Sequence, residues 1–248
     1  MCNDCGCSVT SGSHLLLNGG VLRPIAPAQP HSPHTVAVLR NLLQENDQMA
    51  AHNRAHFKAD GVRVFNLMSS PGSGKTALLE ASVVALRQRG LRVGVIEGDL
   101  ETENDALRLR RHGVPVVQIT TGMACHLDAQ MIHQAYAELP GPLDILFIEN
   151  VGNLVCPASF DLGQDFHVVL LSVPEGDDKP EKYPVMFRQA DKVLLSKIDL
   201  LPYFDEFEPA RVRDTLGSLA AAGEVLALSV RTGEGLEAWL EWLTQAGR

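Results

Sequence analysis

An apolar run, Val62 to Met68, ends in Ser69-Ser70-Pro71-Gly72-Ser73-Gly74-Lys75-Thr76, and a helical pattern begins directly behind it. The octapeptide is close to G-x-x-x-x-G-K-[ST], with Ser69 where the general pattern has glycine. Such a loop works only between a buried strand and the start of a helix, where backbone N–H groups and the helix N-terminus converge on phosphate oxygens. Gly72, Ser73 and Gly74 are therefore expected to line a phosphate cradle. Lys75 would reach the β- and γ-phosphates, and the Thr76 hydroxyl would hold Mg²⁺.

The surrounding pattern meets that demand. After Gly61, strands are expected at Val62–Met68, Leu91–Ile96, Val116–Ile119, Ile145–Ile148, Val168–Ser172, Val193–Leu195 and Val225–Leu228. Helical spacing spans Thr76 to Arg89, closed by Gly90, and Leu236 to Leu243 ends the chain. Repeated βα alternation implies an α/β P-loop fold, a three-layer sandwich whose mostly parallel sheet is covered on both faces. Ahead of it, Val36, Leu39, Leu42 and Leu43 recur at helical spacing behind Thr35, a candidate N-cap, so an amphipathic helix to about Phe57 leads into the domain. Residues 8–34 carry Ser, Gly and Pro with little periodicity beyond Leu15-Leu16-Leu17 and read as a mobile linker.

Composition narrows the partners. At 248 residues and 45% hydrophobic, the chain suits one large domain with an appendage, and it has no apolar run long enough to cross a bilayer. Thirty Asp and Glu against 21 Lys and Arg give a net charge of -9, which argues against general affinity for nucleic acid or anionic membrane. Bound phosphate must be held locally.

Two acidic segments follow strands as a phosphate-transfer site requires. In Glu97-Gly98-Asp99, Asp99 is positioned to hold Mg²⁺ or to orient the attacking water. In Glu149-Asn150-Val151-Gly152, Glu149 falls beside the metal and Gly152 offers its N–H to the γ-phosphate. Base choice is encoded in Ser196-Lys197-Ile198-Asp199, which is similar to N-K-x-D with serine replacing asparagine. A carboxylate at Asp199 accepts from guanine N1–H and N2 together, whereas adenine would leave it unpaired at a cost of about 1–3 kcal/mol. Lys197 would lay its stem along the base, and Ser229 and Val230 would supply backbone N–H groups to the guanine carbonyl. The missing asparagine is expected to weaken loop bracing more than base choice. Residues 35–248 are thus expected to form one GTPase domain behind an N-terminal tail and linker, 1–34.

Cysteine placement adds a second chemistry. Cys2, Cys5 and Cys7 stand ahead of any segment able to pack a core, close enough together for three thiolates to wrap one ion such as Ni(II), Zn(II) or Cu(I). Half of a disulfide framework is the alternative; the odd count of five cysteines and the absence of a signal-peptide core favour reducing cytosol instead. Cys125-His126 is an adjacent ligand pair, with Cys156 the candidate third ligand or a two-fold partner supplying the same pair again. Cys156 lies four positions past Gly152, on the segment that should move when the γ-phosphate is lost.

Together the tail Cys2-x-x-Cys5-Gly6-Cys7, the phosphate loop, Glu97-Gly98-Asp99, Cys125-His126, Glu149 through Pro157, Lys197 through Tyr203 and Thr232-Gly233-Glu234-Gly235 resemble the HypB family, nickel-inserting GTPases of the SIMIBI class. The resemblance implies GTP-dependent delivery of Ni²⁺ to a [NiFe]-hydrogenase large-subunit precursor in the cytoplasm, a HypA-type metallochaperone partner and a homodimer favoured by GTP. It also implies a tight nickel site at the tail and a nickel or zinc (Zn²⁺) site at Cys125-His126. Two other readings stay open: a urease-type nickel GTPase, and a metal-storage or sensing protein with vestigial GTP binding.

Overall fold

The computed structural model describes residues 14–17, 20–24, 35–99, 103–122, 124–219, 221 and 223–246. In chain order these form β1 (His14–Leu17), β2 (Gly20–Pro24), α1 (Thr35–Asp60), β3 (Arg63–Ser69), α2 (Lys75–Gln88), β4 (Val93–Asp99), α3 (Asn104–Arg110), β5 (Val116–Thr120), α4 (Ala129–Ala137), β6 (Ile145–Glu149), β7 (Phe166–Ser172), α5 (Lys179–Lys182), α6 (Pro184–Arg188), β8 (Lys192–Ser196), α7 (Pro209–Ser218), β9 (Glu224–Ala227) and α8 (Leu236–Gln245). The expected α/β alternation is present from β3 onward except between β6 and β7, which only a short 3-10 turn, Cys156–Ser159, connects. The sheet order is β2-β1-β5-β4-β6-β3-β7-β8-β9, and the seven strands from β5 to β9 run parallel.

Alternate residues of the central strands feed opposite faces, as a two-residue period dictates. Phe65 and Leu67 on β3, Val95 on β4 and Phe147 on β6 pack toward α2, α3 and α8, where Trp239 is fully buried. Val64, Ile96, Leu146 and Ile148 point the other way, onto Phe57 of α1 and Met131, Ile132 and Ala135 of α4. A third cluster carries the second face on past β7 and β8 to α6 and α7, through Met186, Phe187, Val212 and Leu216. Both faces are therefore covered, which is what a run such as Ile145-Leu146-Phe147-Ile148 requires.

Two departures from the sequence reading matter. The strand expected at Leu91–Ile96 is β4, which continues to Asp99; Glu97 is 2% exposed and Asp99 pairs with Thr120 of β5. The apolar pattern stops at Ile96, but backbone pairing does not. Within 8–34, read as linker, β1 and β2 instead form an antiparallel hairpin whose first strand pairs antiparallel with β5, His14 opposite Thr120 and Leu17 opposite Val117. The apolar runs 15–17 and 21–22 are short, but they suffice for edge pairing because β5 already presents an open edge.

The C-terminal ends of the parallel strands bring the site together. β3 lies between β6 and β7, with Leu67 opposite Glu149, and Glu97 of β4 is opposite that same glutamate. In open parallel sheets the crevice at these strand ends, where connections depart to opposite sides, is where ligands bind.

Candidate functional site

The phosphate loop turns from β3 into α2 through two left-handed glycines, Gly72 (φ 76°) and Gly74 (φ 98°), conformations costly for any residue with a Cβ. Lys75 Nζ donates to Ser69 Oγ at 2.9 Å, so serine at the position usually held by glycine serves as a local acceptor for the buried lysine. Thr76 Oγ1 donates to Glu149 Oε1 at 2.7 Å. Gly152 closes the other side: a Cβ there would sit 3.0 Å from Pro71 backbone atoms, so the segment after β6 lies directly against the loop.

These elements enclose a cavity of about 360 Å³ whose lining includes Lys75, Thr76, Glu97, Asp99, Glu149 and Gly152. It also includes Asp105 and Arg108 of α3, which no motif signalled; Arg108 is tied to Glu80 and Asp105. Burial dominates its electrostatics. The Glu149 carboxyl is pushed up to about 7 by burial, partly opposed by Lys75 and by the Thr76 hydrogen bond. Glu97 is held well above the ordinary carboxylate range by burial, then by Glu149 and Asp99, while burial lowers the ammonium of Lys75. Glu149 Oε2 and Glu97 Oε2 are buried with no hydrogen-bond partner among the described residues. Clustered carboxylates with unused oxygens, beside a hydroxyl, form a hard oxygen donor set suited to Mg²⁺.

Beyond Gly74 and Ala77, which line both, lies a second cavity of about 380 Å³ with a mostly apolar wall that includes Leu78, Leu200, Leu228 and Val230. Asp199 stands at its edge, held by the Ser229 hydroxyl at 2.7 Å, with Arg231 3.9 Å away. Lys197 is the one described non-glycine residue at positive φ, 58°, and its Nζ donates to Gly72 O at 2.7 Å. Ser196, where asparagine was expected, still braces the phosphate loop by donating to Ser73 O at 2.8 Å. Without a nucleotide, Ser229 N–H donates to Glu234 O at 2.9 Å as the 229–234 turn closes on itself, and its hydroxyl donates to Asp199.

The metal-ligand trio is also assembled. The ligand atoms of Cys125, His126 and Cys156 all lie within 4.8 Å of one another; the two sulfurs are 2.7 Å apart and neither is in a disulfide. His126 is 1% exposed and stacks on Phe160 at 3.9 Å between centroids. Burial lowers its imidazole to about 4, so it stays neutral and able to bind metal at physiological pH. Two sulfurs and one imidazole suit a soft or borderline ion. Cys2, Cys5 and Cys7 lie outside the described residues.

Direct contacts join the trio's loop to the phosphate cavity. Thr121 N–H donates to Asp99 O at 2.9 Å, and the Asn150 side chain accepts from Leu127 N–H at 3.3 Å and from Val151 N–H at 3.0 Å. Leu127 packs so closely on Gly98 that a Cβ there would lie 2.8 Å from its methyl groups. Asn153 donates to Cys125 O at 3.4 Å. Sequence reading missed Asn150 and Thr121, since a polar residue just past a strand has no periodic signature.

Comparison with known proteins agrees with this geometry. The family model described as CobW/HypB/UreG, nucleotide-binding domain, matches residues 63–225. The chain is 48% identical over 238 residues to a hydrogenase maturation factor HypB of Azotobacter chroococcum mcd 1, covering 95% of this chain and 76% of that protein. To a hydrogenase/urease maturation factor HypB of Helicobacter hepaticus it is 52% identical over 192 residues, 75% of this chain and 78% of the relative. Among solved structures, HypB from Helicobacter pylori in complex with nickel is similar with a TM-score of 0.77 at 44% identity, covering 81% of this chain and 94% of that one. Among the described residues no helix is long and apolar enough to cross a membrane.

Proposed function

The chain belongs to the HypB family of hydrogenase maturation factors, and on that premise we propose that it is a GTP-hydrolysing metallochaperone that delivers Ni(II) toward a [NiFe]-hydrogenase large-subunit precursor. The observation that carries the reading is a single segment with a ligand at each end: Glu149 accepts from Thr76 beside the phosphate loop, and Cys156 lies 2.7 Å from Cys125. The chemistry of one end has a short mechanical route to the other.

In the proposed cycle the triphosphate enters the cradle, and Lys75 exchanges its contact with Ser69 for phosphate oxygens. The N–H groups of the Gly72–Thr76 turn hold the β-phosphate, while Asp199 and the apolar wall of the second cavity select guanine. Thr76 and the carboxylates of Glu149 and Asp99 would hold Mg²⁺, which would supply positive charge against the phosphate oxygens. Asp99 orients the hydrolytic water. With γ-phosphate present, Gly152 N–H is held against the loop; after hydrolysis it is released, and the strain passes along Asn153 to Cys156 and through Asn150 to Leu127. The trio loosens its ion, Ni²⁺ as cargo or Zn²⁺ in its place.

The same reading assigns Cys2, Cys5 and Cys7 to a tight nickel site, a HypA-type metallochaperone as partner and a homodimer formed on GTP binding that brings two trios together. Thiolates of this kind favour the reducing cytoplasm as the compartment. Delivery to a urease is a second reading, favoured by the 52% identity to a relative named for both enzymes.

Anaerobic Ni(II) titration of the full chain and of a form lacking residues 1–7, each with GDP and with a non-hydrolysable GTP analogue, tests the proposal. Truncation should remove one tight site and leave a weaker, nucleotide-sensitive one. Nickel binding that ignores both truncation and nucleotide would overturn it. Steady-state phosphate release with GTP against ATP separates the enzyme from a storage protein, which predicts no turnover.

A further inference from the structure

Away from both sites, three imidazoles meet where α1 packs on α4. His52 and His56 are one turn apart on α1, and His133 faces them from α4. Ring centroids are 5.0 Å apart for His52 and His133, 6.3 Å for His52 and His56, and 6.5 Å for His56 and His133. Nitrogen ligation at about 2.0–2.1 Å puts a ring centre roughly 3.2 Å from the ion, so two rings on one ion stand about 4.5–5.2 Å apart. One pair already has that spacing. The other two need about 1 Å, within reach of rotamer adjustment by side chains at the surface.

His133 Nδ1 is buried with no hydrogen-bond partner among the described residues. Behind the cluster, Asp60 Oδ2 lies 3.6 Å from His56 Nε2 and is held by the Tyr136 hydroxyl at 2.7 Å. A carboxylate behind an imidazole fixes its tautomer and aim, a recurrent feature of metal sites. The scaffold is stiff: Asn53 of α1 donates to Ala129 O and Leu162 O, and Phe57 packs edge-on against Tyr136 at 4.8 Å. Ligands on two clamped helices are better organised than ligands on a loop.

We propose that His52, His56 and His133 form a separate, all-nitrogen surface site for one borderline divalent transition ion, Ni(II) or Zn(II). Water completes its coordination, so the ion exchanges faster than one held by thiolates. Cys125 and His126 lie in the loop that leads into α4, which starts at Ala129, and His133 sits about 6 Å along that helix from its first residue. Imidazole chemistry alone supports this site, so it stands or falls independently of the GTP-driven delivery cycle.

The test is equilibrium dialysis of the full chain against Ni(II), and in a second arm Zn(II), comparing the parent with His52→Ala/His56→Ala. Both positions are exposed on a helix, so the variant should fold. The double variant is expected to bind one equivalent fewer while its thiolate-to-nickel charge-transfer absorption is unchanged. Asp60→Asn should keep the stoichiometry and weaken that site about tenfold. Unchanged stoichiometry with both metals would overturn the proposal, as would a loss that takes the thiolate absorption with it.

Discussion

The two ends of the segment from Glu149 to Cys156 face opposite problems. At the Glu149 end, three buried groups of hard chemistry, Glu149, Glu97 and Lys75, are crowded together and left partly unsatisfied, so the site is complete only with charged ligands. At the Cys156 end, two half-buried sulfurs stand beside a neutral, buried imidazole. The first end calls for charged ligands with hard oxygen or phosphate chemistry, the second for a soft or borderline ion. In the proposed cycle nucleotide selection and metal exchange would use different donor atoms, and contacts of Asn150, Gly98 and Asn153 lie between them.

Lys75→Ala breaks that contrast most severely. It removes the one buried cation that the described residues place in the phosphate cavity and should lower GTP turnover by about two to three orders of magnitude, read as phosphate release, while basal Ni(II) binding at the trio persists. Next is a pH effect confined to the charged end. Because burial raises Glu149 from 4.5 to about 7, the folded ligand-free protein favours the protonated form. That contribution, up to about 3 kcal/mol, is fully present below about pH 4.5 and lost as pH rises through 7. Chemical denaturation of the ligand-free protein should show Glu149→Gln abolishing this part of the pH dependence; an identical profile in the variant would remove the charge strain from the comparison.

Asp199→Asn should cut the preference for GTP over ATP by about 1–3 kcal/mol, measured as competing affinities, and leave metal binding alone. The smallest effect sharpens the link between the ends. Gly98→Ala pushes a methyl against the end of the Leu127 side chain, costing about 1 kcal/mol, and should reduce the difference in Ni(II) affinity between GDP and GTP-analogue states more than either affinity itself. Equal nucleotide sensitivity in the variant would mean that coupling runs through Cys156 alone.

Much of this was legible in the residues. Seven strands, the phosphate loop, Asp199 and the Cys-His pair were read from alternation and motif, because a parallel sheet buried on both faces writes continuous apolar runs and a phosphate loop has strict spacing. What failed, failed where charge is buried or pairing is local. The apolar pattern ends strand β4 at Ile96, because Glu97 and Asp99 resemble loop residues until a cavity requires acids inside. Asp105 and Arg108 line the same cavity from a helix that no motif marked. The 14–24 hairpin was hidden because two short strands carry little pattern without the β5 edge they complete. His52 and His56 show their one-turn spacing in the sequence, but only the packing of α1 on α4 adds His133.

That hairpin also sets a leash. His14 is paired with Thr120, the last residue of β5, five positions before Cys125. Seven peptide steps separate Cys7 from His14, and an extended chain of that length spans at most about 25 Å. Cys7 therefore stays within about 25 Å of His14, and Cys2, twelve steps away, within about 43 Å. A hand-over from the tail thiolates to the Cys125 loop would be an encounter within one molecule, at an effective concentration in the millimolar range that no dilution of the protein can lower.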